Sequence, residues 1–345
     1  MTNENLARPA LFALLLFILA IACWEIYLRN DGTDNAYDDS PALFAHSRGQ
    51  VYHPKELSTV FIGSSRIKFD LDIPTWTSLT GDIPVQLACV GSTPLPVLYD
   101  LAKDPKFTGK VVIDVTEVLF FSRSPGNSFR PNEGLKYYHE CSPAQRASFM
   151  INKPMEASLV FLDKENYSLN AMLDKMELKS RPGVFMSPIF PRDFERTAYY
   201  RQSYMRPAFV ADTAQQNKQK NIWKFFASLR EGPPISGTSL DSVIATVKTA
   251  IDQIKARGGD AVFVRTPSSD FFWAGEQMGF PRDKYWDKLL AGTGCQGIHF
   301  MDNPKTDHYI CPEASHLSPS DAMEYTQILA LSLQNDIHWK FPKSF

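Results

Sequence analysis

Five short stretches are apolar along most of their length rather than at alternate positions: 59–62, 85–90, 111–115, 261–264 and 298–301. Strand-length runs without alternation are the pattern of a parallel sheet covered on both faces. Helical spacing appears after them. The stretch 240–257 repeats apolar residues at Val243, Ile244, Val247, Ile251 and Ile254 and stops at Gly258-Gly259. The stretch 321–333 follows Pro319 and repeats at Met323, Ile328, Leu329 and Leu333. Strands alternating with helices predict an α/β fold, a three-layer, doubly wound parallel sheet of about five strands.

The longest apolar run has a different period and a different meaning. Residues 9–28 are apolar except for Glu25, which lies within a turn of the end. At about 1.5 Å per residue, ~20 helical residues cross the ~30 Å hydrocarbon layer. Trp24 and Tyr27 stand where interfacial rings belong. Ala20-Ile21-Ala22 offers a small-x-small cleavage site, and Cys23 a lipidation site, but the apolar run continues past both. This predicts an uncleaved anchor over 1–30, followed by a juxtamembrane linker over 31–56 whose acidic part, 31–39, is solvated. Arg8 before the run and Arg29 after it leave the orientation open.

Between about 120 and 237 the regular alternation stops, and Arg, Pro, Tyr and Phe become frequent. A structureless loop of that length does not fit a compact domain. The segments 156–176 and 215–229 read as helices within an insertion that forms a cap, a partner surface or a small second domain. The remainder of 57–345 is assigned to the sheet domain.

Composition narrows the function. The 345 residues are 44% hydrophobic and 21% charged, ordinary for a globular chain, and the net charge of −2 argues against a nucleic-acid partner. No metal-spaced Cys/His cluster and no phosphate-cradling Gly-x-x-x-x-Gly-Lys occurs, so neither a metal nor another cofactor is expected. Of the five cysteines, Cys23 falls in the anchor. The other four are compatible with two disulfides outside the cytosol, among them a Cys295–Cys311 bridge, or with free buried thiols, the reading preferred for Cys89.

Four pieces carry chemistry, in chain order. Gly63-Ser64-Ser65 ends the first strand, and Val90-Gly91-Ser92-Thr93 follows the second. Asp114-Val115-Thr116 ends the third, and Glu313-Ala314-Ser315-His316 precedes the last helix. A strand ending in Gly-Ser-Ser puts a hydroxyl at the sheet edge where α/β ligands bind, and a carboxylate three residues before a histidine lets one loop supply both partners of a serine nucleophile. Taken alone, each has a plain alternative, an N-cap serine or a solvated loop carboxylate. The ordered set resembles the SGNH (GDSL-like) hydrolase superfamily. Within it, the chain looks like the membrane-anchored proteins that work with membrane-bound O-acyltransferases in teichoic-acid D-alanylation or exopolysaccharide acetylation.

That resemblance implies a flavodoxin-like sheet with Ser65 as nucleophile and His316 as base. Glu313 stands in place of the usual Asp, and the backbone N–H groups of Ser65 and Gly91 are the oxyanion donors. The family's Asn after the third strand has no counterpart, and losing such a donor typically costs ~2.7–4 kcal/mol of transition-state stabilisation. The implied activity is acyl transfer to a cell-envelope polysaccharide or teichoic-acid-like polymer on the extracytoplasmic, periplasmic side, alongside a membrane-bound O-acyltransferase. An esterase and a catalytically weak adaptor remain alternatives. Arg66 and Arg265, at the same sheet edge, are candidate substrate-binding guanidiniums, with an ion pair to Asp114 or Glu117 as the structural alternative. Tyr199, Tyr200, Arg201, Tyr204 and Arg206 are candidates for a partner surface shared by the insertion and the anchor.

Overall fold

The computed structural model describes residues 4–174, 176, 183, 187–229 and 232–343. Among them, β1 (Ser58–Ile62), β2 (Ile83–Gln86), β3 (Lys110–Asp114), β6 (Asp260–Arg265) and β7 (Gly297–His299) form one sheet, ordered β2-β1-β3-β6-β7 and parallel throughout. A separate antiparallel ribbon pairs β4 (Arg196–Thr197) with β5 (Ser203–Tyr204).

The continuous apolar runs are explained by burial on both faces. Val60, Ile62, Val111, Ile113, Ala261 and Phe263 point into one core, with the helices Leu95–Lys103, Gly237–Ala256 and Trp286–Thr293. Phe61, Val112, Val262 and Val264 point into the other, with Ser65–Asp70, Ile73–Thr80 and Pro319–Asn335. Each fully buried aliphatic or aromatic side chain contributes roughly 1.5–3 kcal/mol relative to exposure. A strand with both faces covered therefore has no position where a polar residue is free of cost.

Two strand ends differ from expectation. The 85–90 run stays extended past β2, with Leu87 N–H bonded to Phe61 C=O (2.8 Å) and Cys89 N–H to Gly63 C=O (3.1 Å), so it delivers the Gly91 loop beside the end of β1. The 298–301 run stops early, because the His299 imidazole accepts from Met301 N–H (3.1 Å) and starts the 3-10 turn Phe300–Asp302. The cysteines are all free. Cys295 and Cys311 cannot bridge as expected because they belong to the two cores on opposite faces of the sheet.

The chain divides into two compact units, Asp39–Cys141 with Phe190–Phe345, and Met1–Asp38 with Ser142–Ile189. The expected insertion is therefore not one piece. Its first part, the helix Gly126–Glu140, packs in the sheet unit against Pro41–Arg48. A Cβ at Gly134 would stand 2.5 Å from the Phe44 ring, so this close crossing requires glycine. Nor are 39–56 a linker. Arg48, fully buried, pairs with Asp100 (2.7 Å) and Asp104 (2.8 Å), and Asp39 is not solvated but pairs with Lys68 and Arg201, each at 2.7 Å.

In the other unit, the helix Glu4–Asn30 is long and apolar enough to cross a membrane. Most of its side chains are exposed, and its far end is held. Glu25 accepts from Val160 N–H (3.0 Å) and Phe161 N–H (3.2 Å), and Arg29 donates to Glu25 (2.8 Å) and to Ser158 C=O (2.9 Å). The expected 156–176 helix is broken into Pro143–Ser158, Val160–Leu162, Lys164–Tyr167 and Leu169–Asp174. The break at 160–161 is where Glu25 takes the backbone donors that a continuous helix would have used internally.

Candidate active site

Gly63 leaves β1 packed hard against β3. An added Cβ would stand 2.5 Å from Asp114 Cβ and 2.6 Å from Ile67, so no side chain fits at this position. Ser64 then caps the helix Ser65–Asp70, its hydroxyl accepting from Arg66 N–H (3.2 Å). Asp114, fully buried, accepts from Ser64 N–H (3.2 Å), Ser64 Oγ (3.0 Å), Thr116 Oγ1 (3.2 Å) and Thr266 Oγ1 (3.1 Å). This carboxylate ties the ends of β1, β3 and β6 together and supplies the partners that a charge inside an apolar strand requires. Ser64 is thereby committed to the turn, while Ser65, half-buried, points elsewhere.

Ser65 Oγ lies 2.9 Å from His316 Nε2, and His316 Nδ1 lies 2.8 Å from Glu313 Oε1. A carboxylate accepts only, so Nδ1 carries the proton on that side and Nε2 is the acceptor facing the serine hydroxyl. The loop 313–316 achieves this in four residues through Ala314, whose φ of 79° is in the left-handed region and costs roughly 1–2 kcal/mol for a residue with a Cβ. That conformation turns Ser315 N–H (3.2 Å) and His316 N–H (2.7 Å) onto the same Glu313 oxygen. Ser269 braces the loop from outside, its N–H to Ala314 C=O (3.0 Å) and its hydroxyl accepting from Cys311 N–H (3.0 Å). Asp70, buried behind it, accepts from Leu317 N–H (2.9 Å), and burial pushes its carboxyl well above the usual range.

Two partners of the Glu313–His316 pair, Trp223 and Phe194, have no signal in the local sequence. Trp223, on the helix Thr213–Ser228, donates its indole N–H to Glu313 Oε2, so both carboxylate oxygens are engaged. The imidazole of His316 packs against Phe69 (centroids 4.4 Å apart), Phe194 (5.9 Å) and Trp223 (6.1 Å). Two of those rings come from the stretch in which no strand pattern was visible. Arg201 also comes from there. It is 1% exposed, at φ 63°, and donates to Gln86 C=O (2.8 Å) and Ala88 C=O (3.1 Å), fixing the extension of β2. It is therefore internal rather than part of an outer partner surface, and Arg206 pairs with Asp193 (2.8 Å), whereas Tyr199 and Tyr200 are exposed.

Gly91 follows the extension of β2 at φ 60°, with nothing within 4 Å of an added Cβ, so glycine is required there by backbone conformation and not by space. The substrate-binding expectation for Arg66 and Arg265 needs correction. Both are buried, at 1% and 0% exposure, and both donate to Glu276, on the helix Asp270–Gly279; Arg265 also donates to Glu117 (3.1 Å). Phe272 lies under Arg66, and Trp273 and Phe300 under Arg265. Burial opposes ionisation of Glu276, but the two guanidiniums outweigh it and hold the carboxyl down at about 2. On Glu117 burial wins over Arg265 and pushes the carboxyl up. The cluster is a buried brace under the loop 313–316, reached through Arg66 Nε to Ser315 Oγ (3.4 Å).

Among the described residues no group of three or more His, Cys, Asp or Glu side chains is arranged to hold a metal ion. No protein-family model matches the chain, and no curated protein does.

Proposed function

We propose that this chain is a serine acyl-transfer enzyme, with Ser65 as nucleophile, His316 as general base and acid, and Glu313 as the carboxylate that orients the imidazole. The observation that carries the reading is the unbroken hydrogen-bonded line Ser65–His316–Glu313 at the carboxyl edge of β1. That edge lies next to β3, where the strand order reverses and doubly wound sheets bind ligands.

The step balances on these residues alone. Ser65 Oγ attacks the acyl carbonyl carbon while its proton passes to His316 Nε2. The bond from carbonyl to leaving oxygen then breaks, and that proton goes to the leaving group. An acceptor hydroxyl next attacks the acyl-serine, gives its proton to Nε2 and carries the acyl group away, and Ser65 recovers a proton. Ser65 N–H, at the first helical position and without an intrahelical acceptor, and Gly91 N–H face the developing oxyanion.

The resemblance to SGNH proteins extends this reading to the substrate and the setting. The acyl group, acetyl or similar, goes to a cell-envelope polysaccharide or teichoic-acid-like polymer on the extracytoplasmic side, and a membrane-bound O-acyltransferase supplies it. The N-terminal helix supports this setting because it is apolar and long enough to hold the chain at a membrane. The test is acylation of the full-length protein with an aryl acetate, followed by peptide mass analysis. The expected result is one acetyl group on the peptide carrying Ser65, absent in Ser65→Ala and released faster by a sugar hydroxyl than by water. Release by water alone reassigns the protein as an esterase, and no adduct at all overturns covalent catalysis in favour of an adaptor.

A further inference from the structure

The helix Pro143–Ser158 is inverted. At about 100° per residue, Met150, Ile151 and Met155 share one side and Lys153 and Glu156 the other. The charged pair is the buried side, 8% and 7% exposed and joined at 2.7 Å, while Met150 and Ile151 are 67% and 63% exposed. The short helix Leu169–Asp174 repeats the arrangement, with Leu169, Met172 and Leu173 at i, i+3 and i+4 and all exposed, Leu169 at 73%. A water-facing surface would place these residues the other way round.

The turn between the two helices is fixed to the end of the N-terminal helix. Glu25 holds Val160 and Phe161, Arg29 holds Ser158, Thr33 Oγ1 meets Tyr167 OH at 3.1 Å, and Trp24 packs edge-on to Tyr167. Both apolar sides are therefore tethered to the place where the spanning helix leaves the bilayer. Trp24 and Tyr27, stacked on one another and exposed, are the ring types that sit at headgroup level.

We propose that the outward sides of Pro143–Ser158 and Leu169–Asp174 lie in the interface of the bilayer that the N-terminal helix spans, forming a second, non-spanning membrane contact. The occupant is lipid because the surface continues from the spanning helix through the Glu25 clasp. The most exposed large side chains on the two helices, Met150, Ile151, Leu169 and Met172, are also aliphatic rather than the Trp and Tyr that anchor protein interfaces. The clasp has a purpose in this arrangement, since a carboxylate near the membrane is satisfied by the backbone donors of the element it positions.

The experiment uses full-length protein with Cys23→Ser and Cys141→Ser, leaving only buried cysteines, and one fluorophore-labelled cysteine at a time: Ile151→Cys, Met172→Cys, Leu19→Cys in the spanning helix, or Asp252→Cys on the sheet unit. Each is placed in nanodiscs of phosphatidylethanolamine and phosphatidylglycerol, with and without brominated acyl chains, and unfolding curves confirm the fold. The expected result is quenching at 151 and 172 of at least half that at 19, none at 252, and the same values when Ser65→Ala is added. The pair Ile151→Asp and Leu173→Asp is expected to abolish quenching at 172 while leaving the fold intact. Probes at 151 and 172 that remain as unquenched as the one at 252 overturn the proposal. Shielding that appears only after a membrane acyltransferase is added also overturns it, by assigning the surface to a protein. Because quenching does not depend on Ser65, failure here is separate from failure of the acyl-transfer reading.

Discussion

In the sheet unit, burial follows hydropathy: β1, β3 and β6 are largely apolar and covered, and buried carboxylates such as Asp114 and Glu276 have several partners. In the unit built on the N-terminal helix the relation is reversed, with Lys153 and Glu156 inside and Met150, Ile151 and Leu169 outside. One chain thus carries two regions with opposite relations between hydropathy and burial. In the first, water drives apolar groups together around the buried polar network at the carboxyl edge of the sheet. In the second, hydrogen-bonded pairs such as Glu25 with the 160–161 backbone define the packing, as the proposed lipid contact requires.

The sharpest test of the sheet unit as the chemical region is Ser65→Ala against Ser64→Ala. Loss of the nucleophile is expected to cost on the order of 10⁴–10⁶ in acyl-transfer rate. Ser64→Ala, which removes the helix cap, is expected to lower unfolding free energy by about 0.5–2 kcal/mol and to keep the acyl-serine. If Ser64 rather than Ser65 proves essential for the adduct, the assignment of the edge is wrong.

Next in size is Glu276→Gln, which leaves Arg66 and Arg265 buried without their shared carboxylate. A loss of about 3–5 kcal/mol in denaturant unfolding is expected. The pH dependence carries a sign. Glu276 has a folded pKa near 2, below its unfolded value near 4.5, so its contribution is complete above about pH 4.5 and fades as pH falls toward 2. The variant is expected to lose this acid-dependent part, and matched acid titrations of the two proteins will show it.

Leu101→Ala and Leu173→Ala make one chemical change in the two regions. Leu101 is fully buried in the sheet unit, and about 2–5 kcal/mol should be lost there; Leu173 is 48% exposed, and in detergent the change should stay within ~0.5 kcal/mol. Equal losses would erase the contrast between the two regions.

Trp223→Phe keeps a ring beside His316 and removes the indole donor to Glu313. A hydrogen bond to a charged group contributes ~1.5–3 kcal/mol, so kcat/KM is expected to fall about tenfold to a hundredfold with little change in unfolding. An unchanged rate would show that the orientation of Glu313 is already secured by His316 and Ser315.

Elements whose cause is local could be read from neighbouring residues alone. Runs apolar along most of their length became strands in whole or in part because both faces are covered. The 240–257 and 321–333 periodicities became Gly237–Ala256 and Pro319–Asn335, and residues 9–28 became one apolar helix. Gly63-Ser64-Ser65 and Glu313-Ala314-Ser315-His316 were legible as a candidate site for the same reason, since a turn after a strand and a three-residue spacing are properties of adjacent residues. Features that depend on residues far apart in the chain were set by the fold. Trp223 reaches Glu313 across 90 positions, Arg66 reaches Glu276 across 210, and residues 142–189 separate from their neighbours to join the N-terminal helix. A buried ion or an orphan indole N–H takes whichever partner the fold brings within about 3 Å, and no local pattern encodes that distance. The inverted helix is the clearest case: its sequence contains both an apolar and a charged side, and only packing against the rest of the chain selected which one to bury.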